Sequence, residues 1–439
     1  MGIKVAKFGG SSVADGIQLT KTKEIIREDP DRKYIVVSAP GKRYEGDNKI
    51  TDILYLCKTH IEHNLPYDQL FQVVVDRYMA VEINLGVKVD LLKYFEEIRE
   101  NLRKNPSADY IASRGEYLNA VLVAAFLEYD FVDTANLIKF DEKGRLLTEE
   151  TDKALAEELA KHERAVLPGF YGSTPDGEIK TFSRGGSDIT GALVARAVHA
   201  DVYENWTDVS GVLMADPRIV DDPKVIDTIT YNELRELSYM GATVLHEDAI
   251  FPVRLMGIPI NIRNTNKPED PGTMIVATAE GAGKNVITGI AGKPGFSSIT
   301  IEKDMMNSEV GFTRKVLSVL ESEGISFEHM PSGIDTLSII LATPVLEGKK
   351  ERILRAVCDA VSPDSVFVED SIALIAVVGR GMRSTKGTAA RTLDAVAGAG
   401  INLVMIDQGS SELNIILGVK EAELQKTIAA IYNEFGNRK

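Results

Sequence analysis

Apolar and polar positions change rhythm along this chain, and the changes separate strands from helices. Ile3-Lys4-Val5-Ala6 alternates, and Lys33-Tyr34-Ile35-Val36-Val37-Ser38 is a short apolar run halted by the Ala39-Pro40-Gly41 turn. Both read as strands, the second buried. Residues 51–103 are helix-rich, with helix ends near Pro66 and Gly86, and residues 117–129 predict a further apolar helix. Ala200-Asp201-Val202-Tyr203-Glu204-Asn205-Trp206 returns to strand. Strand and helix patterns thus alternate over the first two-thirds of the chain, which predicts an α/β domain with a mainly parallel sheet. Pro268, Pro271, Gly272, Gly281 and Gly283 then crowd a turn-rich stretch, and the main domain boundary is expected there, at Asn285.

Beyond that boundary the pattern repeats. Gly311-Phe312-Thr313 through Glu323-Gly324-Ile325-Ser326 matches Gly387-Thr388-Ala389 through Ala399-Gly400-Ile401-Asn402, 76 residues on. The same offset pairs Gly333 with Gly409 and Leu337-Ser338-Ile339-Ile340-Leu341 with Leu413-Asn414-Ile415-Ile416-Leu417. Each copy reads helix, Gly-Ile turn, strand, Gly turn, strand. One short copy could hardly bury its sheet face alone, so two copies are expected to pack together or across a dimer.

Composition narrows the class. A length of 439 residues predicts two or three domains, and 44% hydrophobic with 26% charged residues is ordinary for a globular protein. Apolar runs such as residues 121–127 are too short to span a bilayer, and the N-terminus reads as a strand rather than a secretory signal. Met1-Gly2 could start a myristoylation motif, but Ala6 stands where Ser or Thr is wanted. Cys57 and Cys358 are too few and too far apart to imply a disulfide framework, so a cytoplasmic enzyme is the expectation. A net charge of −15 argues against nucleic acid, and it means that a site for anions must gather its own cations, which singles out Lys7, Arg184 and Arg218.

Lys7-Phe8-Gly9-Gly10-Ser11-Ser12-Val13-Ala14 joins the first strand to a helix beginning near Ile17. Glycine amides, a helix N-terminus and a lysine charge together make a phosphate cradle, although not of the Walker pattern. The same residues also fit a tight turn with Ser12 and Asp15 capping the helix. Ser183-Arg184-Gly185-Gly186-Ser187-Asp188 is a second glycine-rich strand-to-helix loop, and its arginine can hold a carboxylate by two parallel hydrogen bonds. Two such loops suggest two anionic ligands meeting at the carboxyl edge of the sheet. Ser113-Arg114-Gly115-Glu116 fits a capping box, and a carboxylate there could equally hold an ammonium group. Trp206-Thr207-Asp208-Val209-Ser210-Gly211 ends a strand, and Asp216-Pro217-Arg218 forms a turn from which Arg218 could reach nucleotide phosphates. His60 and His63 share a helix face without a third ligand, so no metal site is expected. Gly379-Arg380-Gly381-Met382-Arg383-Ser384 approaches a dinucleotide fingerprint but ends in serine and falls inside the second repeat, so it reads as a turn.

Taken in order, Lys7 to Val13, Val36-Val37-Ser38-Ala39, Arg114-Gly115-Glu116, Arg184 to Asp188, Thr207-Asp208-Val209 and Asp216-Pro217-Arg218 resemble the motif series of the aspartate kinase family over nearly the whole chain. The resemblance implies an amino-acid-kinase-type open, mainly parallel sheet with helices on both faces in residues 1–285, followed by two α+β ACT modules in residues 286–439. The first module would span about 303–373 and the second about 287–302 plus 374–439. It implies transfer of the γ-phosphoryl of Mg-ATP to the β-carboxylate of L-aspartate, with magnesium carried mainly by the nucleotide. Lys7, Gly9, Gly10 and Asp188 would then be catalytic, and Ser11, Ser38, Thr51, Glu116, Arg184, Gly186 and Ser187 would line the aspartate pocket. Lys7, Thr207, Asp208, Leu213 and Arg218 would serve the nucleotide.

Two positions depart from the family pattern: Thr243 replaces a lysine in Gly241-Ala242-Thr243-Val244-Leu245-His246, and Leu213 replaces a tyrosine. The nucleotide end is therefore expected to be the less typical one. The ACT pair implies feedback by an amino acid at Met306, Glu309, Gly311, Phe312, Thr313, Ser326, Phe327, Glu328, Ser332 and Gly333, with L-lysine first and threonine second. It also implies a dimer or tetramer built through the ACT modules. The competing readings are another phosphotransferase of the amino acid kinase family and a non-catalytic amino-acid sensor with a decayed kinase site.

Overall fold

A computed structural model describes residues 2–183, 185–242, 245, 247–279 and 285–436, with 247–249 described by backbone alone. The chain divides into two units, one of Met1–Val212, Val225–Tyr231 and Val244–Ala279, the other of Leu213–Lys224, Asn232–Thr243 and Glu280–Lys439.

The first unit is built on an eight-stranded sheet. Its strands are β1 (Lys4–Phe8), β2 (Arg32–Val37), β3 (Asp130–Phe131), β4 (Ala165–Pro168), β7 (Val202–Thr207), β8 (Thr228–Thr230), β9 (Ile260–Asn264) and β10 (Thr273–Val276), in the order 3-4-2-1-7-9-10-8. All neighbours are parallel except β9 and β10. β5 (Tyr171–Ser173) and β6 (Ile179–Thr181) form a separate hairpin. Parallel neighbours require crossovers, which here are mostly helical: α1 (Gly16–Glu28) joins β1 to β2, and α2 (Ile50–Glu62), α3 (Asp68–Leu85), α4 (Leu91–Leu102) and α5 (Ala108–Leu127) lie between β2 and β3. α6 (Thr148–Leu159) precedes β4, α7 (Gly186–Ala197) precedes β7, and α8 (Tyr231–Tyr239) and α9 (Glu247–Met256) fill the chain between β8 and β9. β1 and β2 are almost wholly buried, as central strands covered on both faces should be.

Helix starts differ from two of the sequence expectations. Asp15 alone caps α1, accepting the Gln18 amide at 2.9 Å. α5 begins nine residues before position 117, because Ser107 accepts the Tyr110 amide at 3.1 Å and the run that follows is apolar enough to stay helical. Ser113 and Glu116 therefore lie inside α5 and cap nothing.

Beneath the sheet sits a fully buried ion pair. Arg32 of β2 donates from Nε to Glu204 of β7 at 2.6 Å, and the indole of Trp206 donates to the same carboxylate at 2.9 Å. The two side chains are 5% and 2% exposed.

The second unit holds one antiparallel sheet of β11 (Gly289–Glu302), β12 (Thr336–Ala342), β13 (Ser365–Val378), β14 (Met405–Asp407) and β15 (Asn414–Lys420), in the order 12-11-13-15-14. β11 and β13 pair along nearly their whole length, with register shifts between Lys293 and Ser298. α10 (Phe312–Ser322), α11 (Lys350–Val361), α12 (Thr388–Gly398) and α13 (Leu424–Phe435) accompany it. The repeat is visible in the backbone: α10 and α12 are each followed by a left-handed glycine, Gly324 at φ 66° and Gly400 at φ 70°. After that turn the second copy forms β14, whereas the first makes only isolated bridges from His329 to Ile340 and Ser332 to Leu337.

α8 is fastened to this unit from residue 232 onward. Glu233 is fully buried and accepts from the Thr288 hydroxyl at 2.6 Å, the Arg380 amide at 2.9 Å and the Arg380 guanidinium at 2.8 Å. Glu236 accepts from Asn414 at 2.7 Å. Among the described residues no helix is long and apolar enough to cross a membrane.

Removing Arg32 alone would leave the Glu204 charge buried without its partner. Arg32→Met is expected to cost about 3–5 kcal/mol, and adding Glu204→Leu is expected to recover part of it. Denaturant unfolding followed by the fluorescence of Trp206, the single tryptophan, measures both.

Candidate active site

The register of β1 against β7 sets Lys7 beside Asn205. Asp188 lies in the first turn of α7, where the helix dipole favours an anion. Lys7 Nζ stands 2.5 Å from Asp188 Oδ1 and 3.5 Å from Asn205 Oδ1, and Asn205 Nδ2 donates to the same Asp188 oxygen at 3.0 Å. The Tyr203 hydroxyl donates to the Asp188 carbonyl at 3.0 Å and so pins the helix start to β7. An ammonium carries three donors, and these two contacts use two of them. Lys7 is thus a buried cation, aimed and held, with capacity for one more anion.

Gly9 lies over that cation, since a Cβ there would be 3.4 Å from Lys7 Nζ. Its amide is not a free anion donor as the cradle reading expected. It donates to the Trp206 carbonyl at 2.9 Å, extending the β1–β7 ladder by one residue. Gly10 opens a 3₁₀ turn, Gly10–Val13, and its carbonyl accepts from the Gly41 amide at 2.8 Å. Ser11 is half-buried in that turn, while the Ser12 hydroxyl bonds with that of Thr265 at 2.7 Å.

The loop after β2 lies against α5. A Cβ on Gly115 would meet the Ala39 Cβ at 2.8 Å, so the glycine allows the helix to close on the Ser38-Ala39 turn. Asn119, one turn along, donates from Nδ2 to the Ser38 carbonyl at 2.7 Å. Glu116, between them, is 5% exposed, and its Oε2 has no hydrogen-bond partner. Burial pushes its carboxyl up to about 7, although the amides of Ala39 and Glu116 and the charge of Arg114 pull the other way. Thr51 is half-buried in the first turn of α2. Arg77 braces the loop between, donating to both Asp47 carboxylate oxygens at 2.9 and 2.8 Å and to the Gly41 carbonyl at 3.3 Å.

A third loop follows β4. A Cβ on Gly169 would fall 2.6 Å from both Cβ and Oγ of Ser187, and one on Gly186 would fall 2.5 Å from the Phe170 ring. The Phe170 amide donates to Thr190 of α7 at 3.0 Å. Ser187 and Gly186 are therefore buried against this loop, and Arg184 lies outside the described residues.

Thr207 ends β7 half-buried, with its hydroxyl donating to exposed Asp208 at 3.2 Å. Leu213 and Arg218 belong to the second unit by its Leu213–Lys224 segment. Arg218 is exposed and paired with Asp216 at 2.6 Å. Thr243 lies outside the described residues. Of the residues assigned to an effector, Glu309 is gripped by Lys303 at 2.6 Å and Lys315 at 2.7 Å, which hold its carboxyl below the usual range. Glu328 accepts from the Tyr239 hydroxyl. Met306 and Phe312 are buried in the core of the unit, Gly311 caps α10, and Thr313 is half-buried. Ser326, Phe327, Ser332 and Gly333 are exposed. His60 and His63 bond to backbone carbonyls, and among the described residues no three His, Cys, Asp or Glu side chains converge as metal ligands.

Residues 2–264 match the amino acid kinase family and residues 375–435 match the ACT domain. Over 99% of this chain and 98% of the relative, the sequence is 42% identical to aspartokinase 3 of Bacillus subtilis. The crystal structure of Clostridium acetobutylicum aspartate kinase superposes with a TM-score of 0.88 at 50% identity, covering 99% of this chain and all of that one. The chain belongs to the aspartokinase branch of the amino acid kinase family. E. coli aspartokinase III shares the aspartokinase fold at lower identity. Its complex with aspartate and ADP gives a TM-score of 0.71 at 23%, and its complex with lysine and aspartate gives 0.67 at 24%, each covering 98% of this chain and 99% of that one.

Two residues that hold this candidate site together carry no motif in the sequence. Asn205 was hidden inside a strand, and the signal for it was two adjacent polar residues, Glu204 and Asn205, in an otherwise buried run. Asn119 was hidden inside an apolar helix. Gly169→Ala is expected to force the β4 loop away from Ser187, at a cost of about 1–3 kcal/mol. A lowered denaturation midpoint measures it.

Proposed function

We propose that the chain catalyses ATP-dependent phosphorylation of L-aspartate on its β-carboxylate, giving 4-phospho-L-aspartate and ADP. The observation that carries this reading is the buried Lys7 cation, held by Asp188 at the carboxyl edge of the sheet, in a chain related along its whole length to aspartokinases. An aspartate side chain ionises near pH 3.9, so the nucleophile needs no base at neutral pH. Its oxygen attacks the γ-phosphorus while the bond to the β–γ bridging oxygen breaks and the electron pair leaves with ADP. The barrier is chiefly repulsion between anions, so cations and alignment supply the catalysis.

Lys7 meets the transferring phosphoryl from beneath Gly9, and Asp188 with Asn205 keeps its ammonium aimed there. Arg184 clamps an aspartate carboxylate, Glu116 its ammonium, and Ser11, Ser38, Thr51, Gly186 and Ser187 shape the pocket. Thr207, Asp208, Leu213 and Arg218 serve the nucleotide. Magnesium, bound through the phosphates, would spread their negative charge.

Residues 1–285 would carry catalysis and 286–439 the two ACT modules, at about 303–373 and about 287–302 plus 374–439. The modules would take an amino-acid effector and join copies into a dimer or tetramer, in the cytoplasm. L-lysine is favoured as effector because a relative of the same fold, E. coli aspartokinase III, was crystallised with it. Glu328 is the better anchor for its side chain, since Glu309 already has two lysines.

Acyl phosphate formed from L-aspartate and ATP, trapped with hydroxylamine, tests the activity, and suppression by L-lysine tests the effector. No trapped product from the intact protein would overturn the reading. Lys7→Ala is expected to lower kcat about 10²–10³-fold, by analogy with the loss of one oxyanion donor.

A pH series tests the role of Glu116. Its carboxyl titrates near 7 in the free protein, so it is protonated at pH 6 and ionised at pH 8, and only the ionised form attracts an ammonium. The KM for aspartate is expected to fall about tenfold between those values, while the rate at saturation stays flat. Glu116→Gln should flatten the KM profile. In the free protein the raised carboxyl stabilises the fold below pH 4.5, and that contribution is lost as pH rises through 7, by about 3 kcal/mol.

A further inference from the structure

Two buried oxygens on one face of α5 have no donor. Glu116 Oε2 and Asn119 Oδ1 each lack a hydrogen-bond partner, and their residues are 5% and 0% exposed. Positions three apart on a helix are neighbours on its surface, so both belong to the strip facing the Ser38-Ala39 turn. The orientation of the Asn119 amide is fixed by chemistry: its Nδ2 donates to the Ser38 carbonyl at 2.7 Å, and a flipped amide would set two acceptors against each other. Its Oδ1 therefore faces elsewhere, and it has nothing to accept.

A buried acceptor left without a donor is unfavourable, and two adjacent ones call for a ligand that brings several N–H or O–H groups. An ammonium has three donors and a positive charge, which suits one carboxylate and one amide oxygen together. We propose that Asn119 is part of the amino-group subsite, its Oδ1 accepting one N–H of the substrate ammonium while Glu116 Oε2 accepts another. This rests on the assignment of aspartate as substrate. Asn119 has a second task, because the same side chain fixes the Ser38 carbonyl, so amino-group recognition and the shape of the β2 loop share one residue.

The two tasks are separable with succinate, which has both carboxylates of aspartate and no amino group. The intact protein, Asn119→Ala and Asn119→Ser are compared for the KM of L-aspartate and the inhibition constant of succinate, with folding checked by Trp206 fluorescence. The expected result for Asn119→Ala is a rise in the aspartate KM of about tenfold or more, severalfold larger than the weakening of succinate inhibition that loss of the Ser38 anchor brings, with the KM for ATP unchanged. Asn119→Ser, which keeps a short acceptor, should fall between, and it carries the comparison if the alanine variant does not fold. Equal weakening of aspartate and succinate would mean that Asn119 only holds the loop, and would overturn the proposal. So would an unchanged aspartate KM. Failure of the unaltered protein to phosphorylate aspartate would instead overturn the substrate assignment, and this inference with it.

Discussion

The structure of the first unit turns on one buried charge. A lysine ammonium in the middle of an apolar sheet is tolerable only if it is paired and hydrogen-bonded. Lys7 meets that condition with two partners from different elements, Asp188 from the start of α7 and Asn205 from the neighbouring strand. This fixes the register of β1 on β7, the position of the α7 N-terminus and the bare backbone at Gly9. The glycines at 169 and 186 then follow, because α7 can bring Asp188 to Lys7 only if the β4 loop lets it come close. The loops are dense with glycine because they are packed closely against their neighbours.

Legibility in the sequence followed the range of each interaction. Local signals were plain: the strand before Lys7, the apolar run of β2, the helix-rich stretch to residue 103 and the repeat whose left-handed glycines recur at 324 and 400. Signals that depend on distant partners were not. Ser113 and Glu116 have the spacing of a cap, yet α5 starts earlier at Ser107, and no local rule separates the two until the helix is seen buried through both. The Gly9 amide could not be known to join a ladder before β7 was known to lie beside β1. Asn205 and Asn119 carried no motif, since an asparagine in a largely apolar element reads as a blemish until its partners are in place. The pairing of Glu309 with two lysines needed Lys303 and Lys315 in space, and it changes which acidic residue is open to a cation.

The antiparallel sheet of the second unit shows a different economy. β11 and β13 each run through both halves of the repeat, so one ladder supports α10 and α11 at one end and α12 and α13 at the other. The register shifts near Gly295 sit where the two halves meet. A bulge is a place where a sheet can bend without losing pairing on either side.

Glu233 gives the C-terminal unit a claim on chain that precedes it by half a hundred residues. Its carboxylate is fully buried, and its donors come from Thr288 and Arg380. A shortened protein ending near residue 285 would therefore not be the first unit released from the second. It would keep Glu233 but lose the Thr288 and Arg380 donors to it, and its 213–224 segment would be cut off from the rest of its unit. Loss of activity on such truncation would report damage to the fold, and the two units are better probed by point substitutions than by scissors.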